Sequence, residues 1–310
     1  MALFDKALEA KVMSTHLLIR ANLSKKLLYE AYNIAKAFEA RYSAYRESSF
    51  LSTINRAAGK EPVLCRAEDL HLFQRALLAS KQTEGRFDIS IGAVSHGAYH
   101  FGFSNQSLAP KALLKAQQSL VDYTKITVDD KSIFLKEEGM RLDLGGIGKG
   151  YAARLIALFL KEAGATRILV DVGGEIVTEG KVFTIALRNP SGKGYIGHIK
   201  TGKGALSIST SGDYERFIDE KNHHILDAGK GASSTYYRAM TVMRDGWDID
   251  LLDAYATALF NIEPALLASA VHRLEASVLV IERNNDIRYL NPAKVSLSKI
   301  ELRDSPSDLG

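Results

Sequence analysis

Helical patterns in the first half of the chain and a strand-rich second half predict an α+β fold, with a mixed, largely antiparallel sheet flanked by helices. Two observations carry this. Before Gly164, apolar residues recur at helical spacing. From Arg167 onward, short β-branched runs follow one another with turn residues between them, the pattern of a meander. No repeat of fixed period, low-complexity segment or long linker divides the chain. The reading is one domain over residues 11–299 and a loose tail over 300–310.

The elements follow in order. The apolar run within residues 11–22 (Val12, Met13, Leu17, Leu18, Ile19) suits a strand. Lys25 to Tyr45 is a helix, because Leu28, Tyr32, Ala35, Phe38 and Tyr42 fall on one face. Arg46 to Asn55 reads as polar and turn-rich. Glu68 to Thr83 is a second helix, stopped by Gly85. A glycine- and aromatic-rich loop with His96, Tyr99, His100 and Phe101 could line a flat-ring pocket or be an ordinary surface loop. Pro110 opens a helix to about Val121. Ile126–Val128 and Ile133–Leu135 form a hairpin around Asp129–Ser132, and Met140–Leu144 suits a short strand. Ala152–Leu160 is a helix. Arg167–Val172, Lys181–Arg188, Tyr195–Lys200 and Ala205–Thr210 make the meander, and Ala239–Met243 is a strand. Ile249–Asn261 is a helix, Pro264 starts another, and Val278–Ile281 with Ile287–Leu290 form a last hairpin.

Composition excludes several classes. The chain has 310 residues, 46% hydrophobic and 25% charged, the balance of an ordinary soluble globular protein. Net charge is +4, too small to argue for nucleic acid, and no basic run carries interleaved aromatics. The single cysteine, Cys65, allows no intramolecular disulfide and no cysteine-based metal site, and reads as a small buried hydrophobe. Met1 to Val12 alternates charged and apolar residues. It has no apolar core of signal-peptide length and no lipid-attachment cysteine, and no stretch is long enough to span a membrane. The expectation is a cytoplasmic protein, or a periplasmic one if a leader has been removed.

Asp143-Leu-Gly-Gly-Ile-Gly-Lys-Gly-Tyr151 packs four glycines into a turn between a strand and a helix, with Lys149 near the helix start. Free amides, a helix dipole and a lysine together suit a phosphate or another anion. It is no Walker loop, because no Ser or Thr follows the lysine, and packing alone could also explain the glycines. On the predicted Ile249–Asn261 helix, Asp253 and Thr257 share one face. Both are hard oxygen ligands of the kind Mg²⁺ prefers; otherwise they are an exposed Asp and a Thr bonded to its own helix. His224 and Asp227 form a His-x-x-Asp pair in which the histidine could act as a general base. Neighbours on a strand alternate, so His223 should point the other way and one of the two histidines should be solvated. Asp213 and Arg216 read as a surface ion pair unless they face the same cleft.

Five stretches in order resemble the FAD:protein FMN transferase family, the ApbE-type flavin transferases. They are Gly85-Arg-Phe-Asp-Ile-Ser-Ile-Gly92, the Asp143–Gly150 turn, Leu169-Val-Asp171-Val-Gly-Gly-Glu175, Ser209-Thr-Ser211-Gly-Asp-Tyr-Glu-Arg216 with His224-Ile-Leu-Asp227, and Asp253-Ala-Tyr-Ala-Thr257-Ala-Leu-Phe. Ser49 to Asn55 also resembles the family's N-terminal segment. The likeness covers roughly residues 11 to 290. It implies one α+β domain with FAD and Mg²⁺ in a cleft, moving the FMN half of FAD onto a Thr or Ser hydroxyl of a target flavoprotein and releasing AMP. Carried over by position, Asp253, Thr257 and the main-chain carbonyl of Gly148 would bind the metal, and His224 would be catalytic. Met13, Phe87, Asp88, Asp143, Lys149, Ser211 and Arg216 would contact FAD.

Two departures stand out. Ala228 replaces the proline that usually follows the His-x-x-Asp segment, and no export signal matches that of the family's many lipoproteins. Many members also have Ala at Gly148, which a backbone ligand tolerates. Two other readings share these residues: a Mg²⁺-dependent FAD pyrophosphatase, with water as acceptor, and a non-catalytic flavin-binding protein.

Overall fold

The computed structural model describes residues 5–100, 107, 110–213, 217–219, 222–223 and 225–302. Eight strands form one antiparallel sheet whose spatial order follows chain order: Lys6–Val12, Thr15–Ala21, Ile168–Val172, Glu175–Glu179, Leu206–Gly212, Tyr237–Asp245, Ser277–Glu282 and Ile287–Leu290. The helices are inserted between consecutive strands. Lys25–Tyr42, Ala67–Gln82 and Gly148–Glu162 lie between the second and third, and Ile249–Phe260 and Pro264–Arg273 between the sixth and seventh.

Strand alternation explains why the sheet is covered on both sides. Val170, Val172, Val177, Met240, Val242, Val278 and Val280 join the core beneath the helices. Their neighbours Ile176, Ala239, Met243, Leu279 and Ile281 face the opposite way, into a second core. That second core is closed by a small antiparallel sheet of Thr184–Arg188, Tyr195–Thr201 and Leu297–Leu302, which supplies Leu187 and Ile199. Burial on both faces makes Ser277–Ile281 a continuous buried run rather than an alternating one.

Several elements differ from expectation. The charge-alternating N-terminus is an edge strand, Lys6–Val12, that buries Leu8 and Val12 and turns its charges outward. Phe50–Arg56 is a helix rather than a polar turn; the Ser49 hydroxyl caps it by accepting from Ser52 N at 3.0 Å, and Leu51 and Ile54 are buried. Met140–Leu144 forms no strand, only one bridge between Arg141 and Ile91. The expected meander is split. Thr184–Arg188 and Tyr195–Thr201 leave for the small sheet, whereas Leu206–Gly212 returns to the main one, paired with Glu175–Glu179 and Tyr237–Asp245. The expected tail starts as a strand, with Ile300 opposite Ile199 and Leu302 opposite Gly197. Among the described residues, no helix is long and apolar enough to cross a membrane.

Candidate active site

The site is organised by the crossing of two helices, Gly148–Glu162 and Ile249–Phe260. They meet at Gly150, where a Cβ would lie 2.5 Å from the Ile249 carbonyl oxygen and 2.9 Å from Asp253 Cβ. Only glycine permits so close an approach. The approach delivers Asp253 Oδ2 to the Gly150 amide, at 2.9 Å. The first helix has no side-chain cap of its own, since Ile147 occupies the N-cap. Its exposed amides and dipole therefore receive a carboxylate from the neighbouring helix. In this structure the Gly150 amide of the turn is taken by the Asp253 carboxyl.

Lys149 stands beside it. Its Nζ lies 2.6 Å from Glu175 Oε1 and 3.4 Å from Asp253 Oδ1. Glu175 is 1% exposed and Asp253 2%. Burial raises the pKa of both carboxyls; the charge of Asp253 adds to the rise at Glu175, and Lys149 opposes it in each. Glu175 Oε2 is buried and lacks a partner of good geometry, while the Ser209 hydroxyl beside Glu175 acts to lower its pKa.

Thr257 and Phe87 close over the glycine turn, at 3.0 Å (Oγ1) and 3.2 Å (Cε2) from where a Gly146 Cβ would be. Met13 reaches the same turn, with its Cε 3.6 Å from a Cβ built at Gly148. It sits in a two-residue hairpin loop, between paired Val12 and Thr15, with φ of 52° at Met13 and 60° at Ser14. Left-handed backbone at two such residues costs about 1–2 kcal/mol each, and strain of this kind concentrates at functional positions. Asn55 anchors the approach to the turn by bonding both the N–H and the C=O of Leu142, at 2.8 and 3.2 Å.

Asp143 opens the turn. One oxygen accepts from Gly145 N at 2.8 Å; the other meets Ser95 Oγ at 2.8 Å and His96 Nε2 at 3.0 Å. Burial alone would raise its pKa, but the His96 charge and these hydrogen bonds outweigh it and hold the carboxyl well below the usual range. His96 and Tyr99, from the aromatic loop, are both buried. Phe101 lies outside the described residues.

Asp88 takes a different part. Its oxygens accept from Ser90 N, Ser90 Oγ and Tyr123 N at 2.6–2.8 Å, so it braces the loop beneath Phe87. Ser211 is half-buried at the end of its strand; the Thr210 carbonyl, 3.9 Å from a Cβ at Gly174, sets that strand end beside the Gly173-Gly174 turn. Arg216 and His224 lie outside the described residues. Asp213 bonds Arg283 at 2.6 Å. His223, one of the two histidines of which one was expected in solvent, is 1% exposed: Nε2 donates to the Ser234 carbonyl at 2.7 Å, Nδ1 accepts from Ile225 N at 3.2 Å, and the ring meets Phe260 edge-on. Alternation says that neighbours diverge but not which one faces the core.

A cavity of about 370 Å³ is lined by Leu78, Gln82, Arg244, Tyr255 and Leu274, not by these residues. Tyr255 projects from the other side of the helix that carries Asp253 and Thr257.

The chain is 28% identical over 285 residues to a Klebsiella pneumoniae protein named FAD:protein FMN transferase, covering 89% of this chain and 88% of that protein. A Treponema pallidum protein of the same name is 28% identical over 227 residues, 66% of this chain and 62% of its own. Among solved structures, the ApbE protein of Thermotoga maritima superposes with a TM-score of 0.83 at 24% identity, covering 94% of this chain and 98% of that one. The flavin transferase ApbE of Vibrio cholerae superposes with a TM-score of 0.80 at 21% identity, covering 93% and 97%. These likenesses show a common fold. The sequence model of the ApbE family matches residues 11–280, nearly the whole described fold, and the chain belongs to that family.

Proposed function

We propose that the protein transfers the FMN portion of FAD to a Thr or Ser hydroxyl of a target flavoprotein and releases AMP, with Mg²⁺ required. The observation that carries the reading is the convergence of Lys149, Asp253 and Thr257 on one glycine turn, at a helix N-terminus with no side-chain cap of its own. The relatives' name, FAD:protein FMN transferase, agrees with the transfer of FMN from FAD to a protein.

The residues fit a hard divalent cation. Asp253 is a buried carboxylate whose Oδ1 already faces a cation, the Lys149 ammonium. Thr257 Oγ1 and the Gly148 carbonyl would complete a set of protein oxygens of the kind Mg²⁺ takes. Among the described residues no group of three or more His, Cys, Asp or Glu is gathered for a metal, and this set, with one carboxylate, does not call for one. When bound, Mg²⁺ would supply charge neutralisation at the pyrophosphate and the departing phosphate.

The chain's own residues do the rest. Lys149 and the helix N-terminus face the diphosphate. Phe87 and Met13 offer apolar contact beside the turn, and Asp143, held ionised by His96, Ser95 and Gly145, accepts hydrogen bonds there. His224 takes the proton of the acceptor hydroxyl. The oxygen of that hydroxyl bonds the flavin-side phosphorus, the P–O bond to the bridging oxygen breaks, and AMP leaves with that oxygen.

The test is incubation with FAD, Mg²⁺ and an acceptor flavoprotein, read by intact mass and by chromatography of the nucleotide. An FMN adduct with AMP in equal amount supports transfer. Free FMN with AMP and no adduct would assign the pyrophosphatase reading instead, and no product would leave a flavin-binding protein.

A further inference from the structure

We infer that Glu175 is a positioning residue of this site: it holds the Lys149 ammonium away from Asp253, so that the Asp253 carboxylate stays open to a divalent cation. This rests on the reading above, in which Asp253 is a ligand to the cation.

The geometry is asymmetric. The ammonium lies 2.6 Å from Glu175 and 3.4 Å from Asp253, so Glu175 holds the lysine and Asp253 only neighbours it. Glu175 is placed rigidly for the task. It opens a central strand directly after the Gly173-Gly174 turn and pairs with Val172, and the Asp171 carboxylate fixes the turn by accepting from Gly174 N at 2.8 Å. Its carboxylate is nonetheless under-bonded for so buried a group: Oε2 lacks a partner of good geometry, with the Ser209 hydroxyl its neighbour. Burying a carboxylate in that state is unfavourable, and an apolar side chain would pack there at lower cost. Packing therefore does not account for it, whereas a tether for Lys149 does.

A lysine side chain is long, flexible and strongly attracted to the nearest anion. With Glu175 neutral, Asp253 is the carboxylate already within 3.4 Å of it. An ammonium closed onto Asp253 Oδ1 competes with a metal ion for the same oxygen. The charges agree. With both carboxyls ionised, Lys149, Glu175 and Asp253 sum to −1, and the buried Asp171 carboxyl also acts on the lysine, a balance that suits a divalent cation. Without the Glu175 charge those three groups are neutral in sum.

The experiment compares wild type, Glu175→Gln and the double variant Lys149→Met with Glu175→Gln, with thermal melts confirming that each is folded. Mn²⁺ affinity is measured on the protein alone by electron paramagnetic resonance of the free ion. The Mg²⁺ requirement of FAD turnover is a second readout. We expect Glu175→Gln to weaken Mn²⁺ binding on the order of tenfold, the size of an ordinary coupling between neighbouring groups. The double variant, lacking the competing lysine, should recover most of that loss. Equal affinity in wild type and Glu175→Gln overturns the tether. So does a double variant as weak as Glu175→Gln, which would make Glu175 a ligand or a packing residue. A wild-type protein that binds no Mn²⁺ overturns the metal reading itself, and the tether with it.

Discussion

Asp250 and Asp253 stand one turn apart on the same helix, both buried, and their surroundings could hardly differ more. Asp250 is saturated. Arg75 grips it with two hydrogen bonds of 2.6 and 2.7 Å and reaches Asp248 at 2.8 Å as well. Such a fork is a rigid, fully paired arrangement. Asp253 receives one backbone amide and a distant lysine at 3.4 Å. One carboxylate is closed by two guanidinium bonds and the other makes longer contacts. Burial alone does not separate a structural charge from a functional one. Unspent bonding capacity does.

The sharpest way to break this contrast is at Asp253. Asp253→Asn keeps the side-chain shape and an oxygen able to accept from Gly150 N. It should lower FAD turnover by a factor on the order of 10² to 10³, as removal of a preorganised electrostatic group does, with a melting temperature close to wild type. Unchanged kcat/KM at the same Mg²⁺ concentration would show that the open carboxylate has no role in the reaction.

Arg75→Ala should do the reverse. It leaves buried Asp250 with Arg154 alone, at 3.9 Å, and breaking a buried ion pair from one side costs about 3–5 kcal/mol. Urea denaturation should show the loss, while activity per folded molecule stays near wild type.

Gly150→Ala probes the crossing that brings the two regions together. Its Cβ would collide with backbone at Ile249, so overpacking of about 1–3 kcal/mol is expected, and Asp253 should shift from its amide. A variant with wild-type stability and turnover would show that the helices have slack.

The smallest effect is a pH dependence at His223. Burial lowers its pKa, against the opposing Ser234 bond. The unfolded chain binds the proton more readily, so stability should be fully present above about pH 6.5, the unfolded value, and fall as pH drops below it. Denaturation midpoints at pH 7.5 and pH 5.5 measure this, and His223→Gln should flatten the slope. A mild His223→Ala would contradict the buried ring described above.

Periodicity made the long elements legible. Leu28, Ala35, Phe38 and Tyr42 marked the first helix, and the i, i+4 spacing put Asp253 and Thr257 on one face before any contact was known. The glycine turn with Lys149 at a helix start was equally plain, because local backbone chemistry is written in adjacent residues. Short elements escaped. Phe50–Arg56 has too few residues for a period to show, and the strand Glu175–Glu179, entered through the Gly173-Gly174 turn, was not among the expected elements.

What no local pattern carried is which distant side chains meet. Glu175 finds Lys149 across 26 positions, His96 finds Asp143 across 47, and Asn55 finds Leu142 across 87. The sequence also gave no sign that Gly150 serves a helix crossing rather than a ligand, or that His223 faces the core. Those choices belong to the packed structure. Desolvation forces each buried polar group to find a partner, and only the assembled layers determine which partner is within reach.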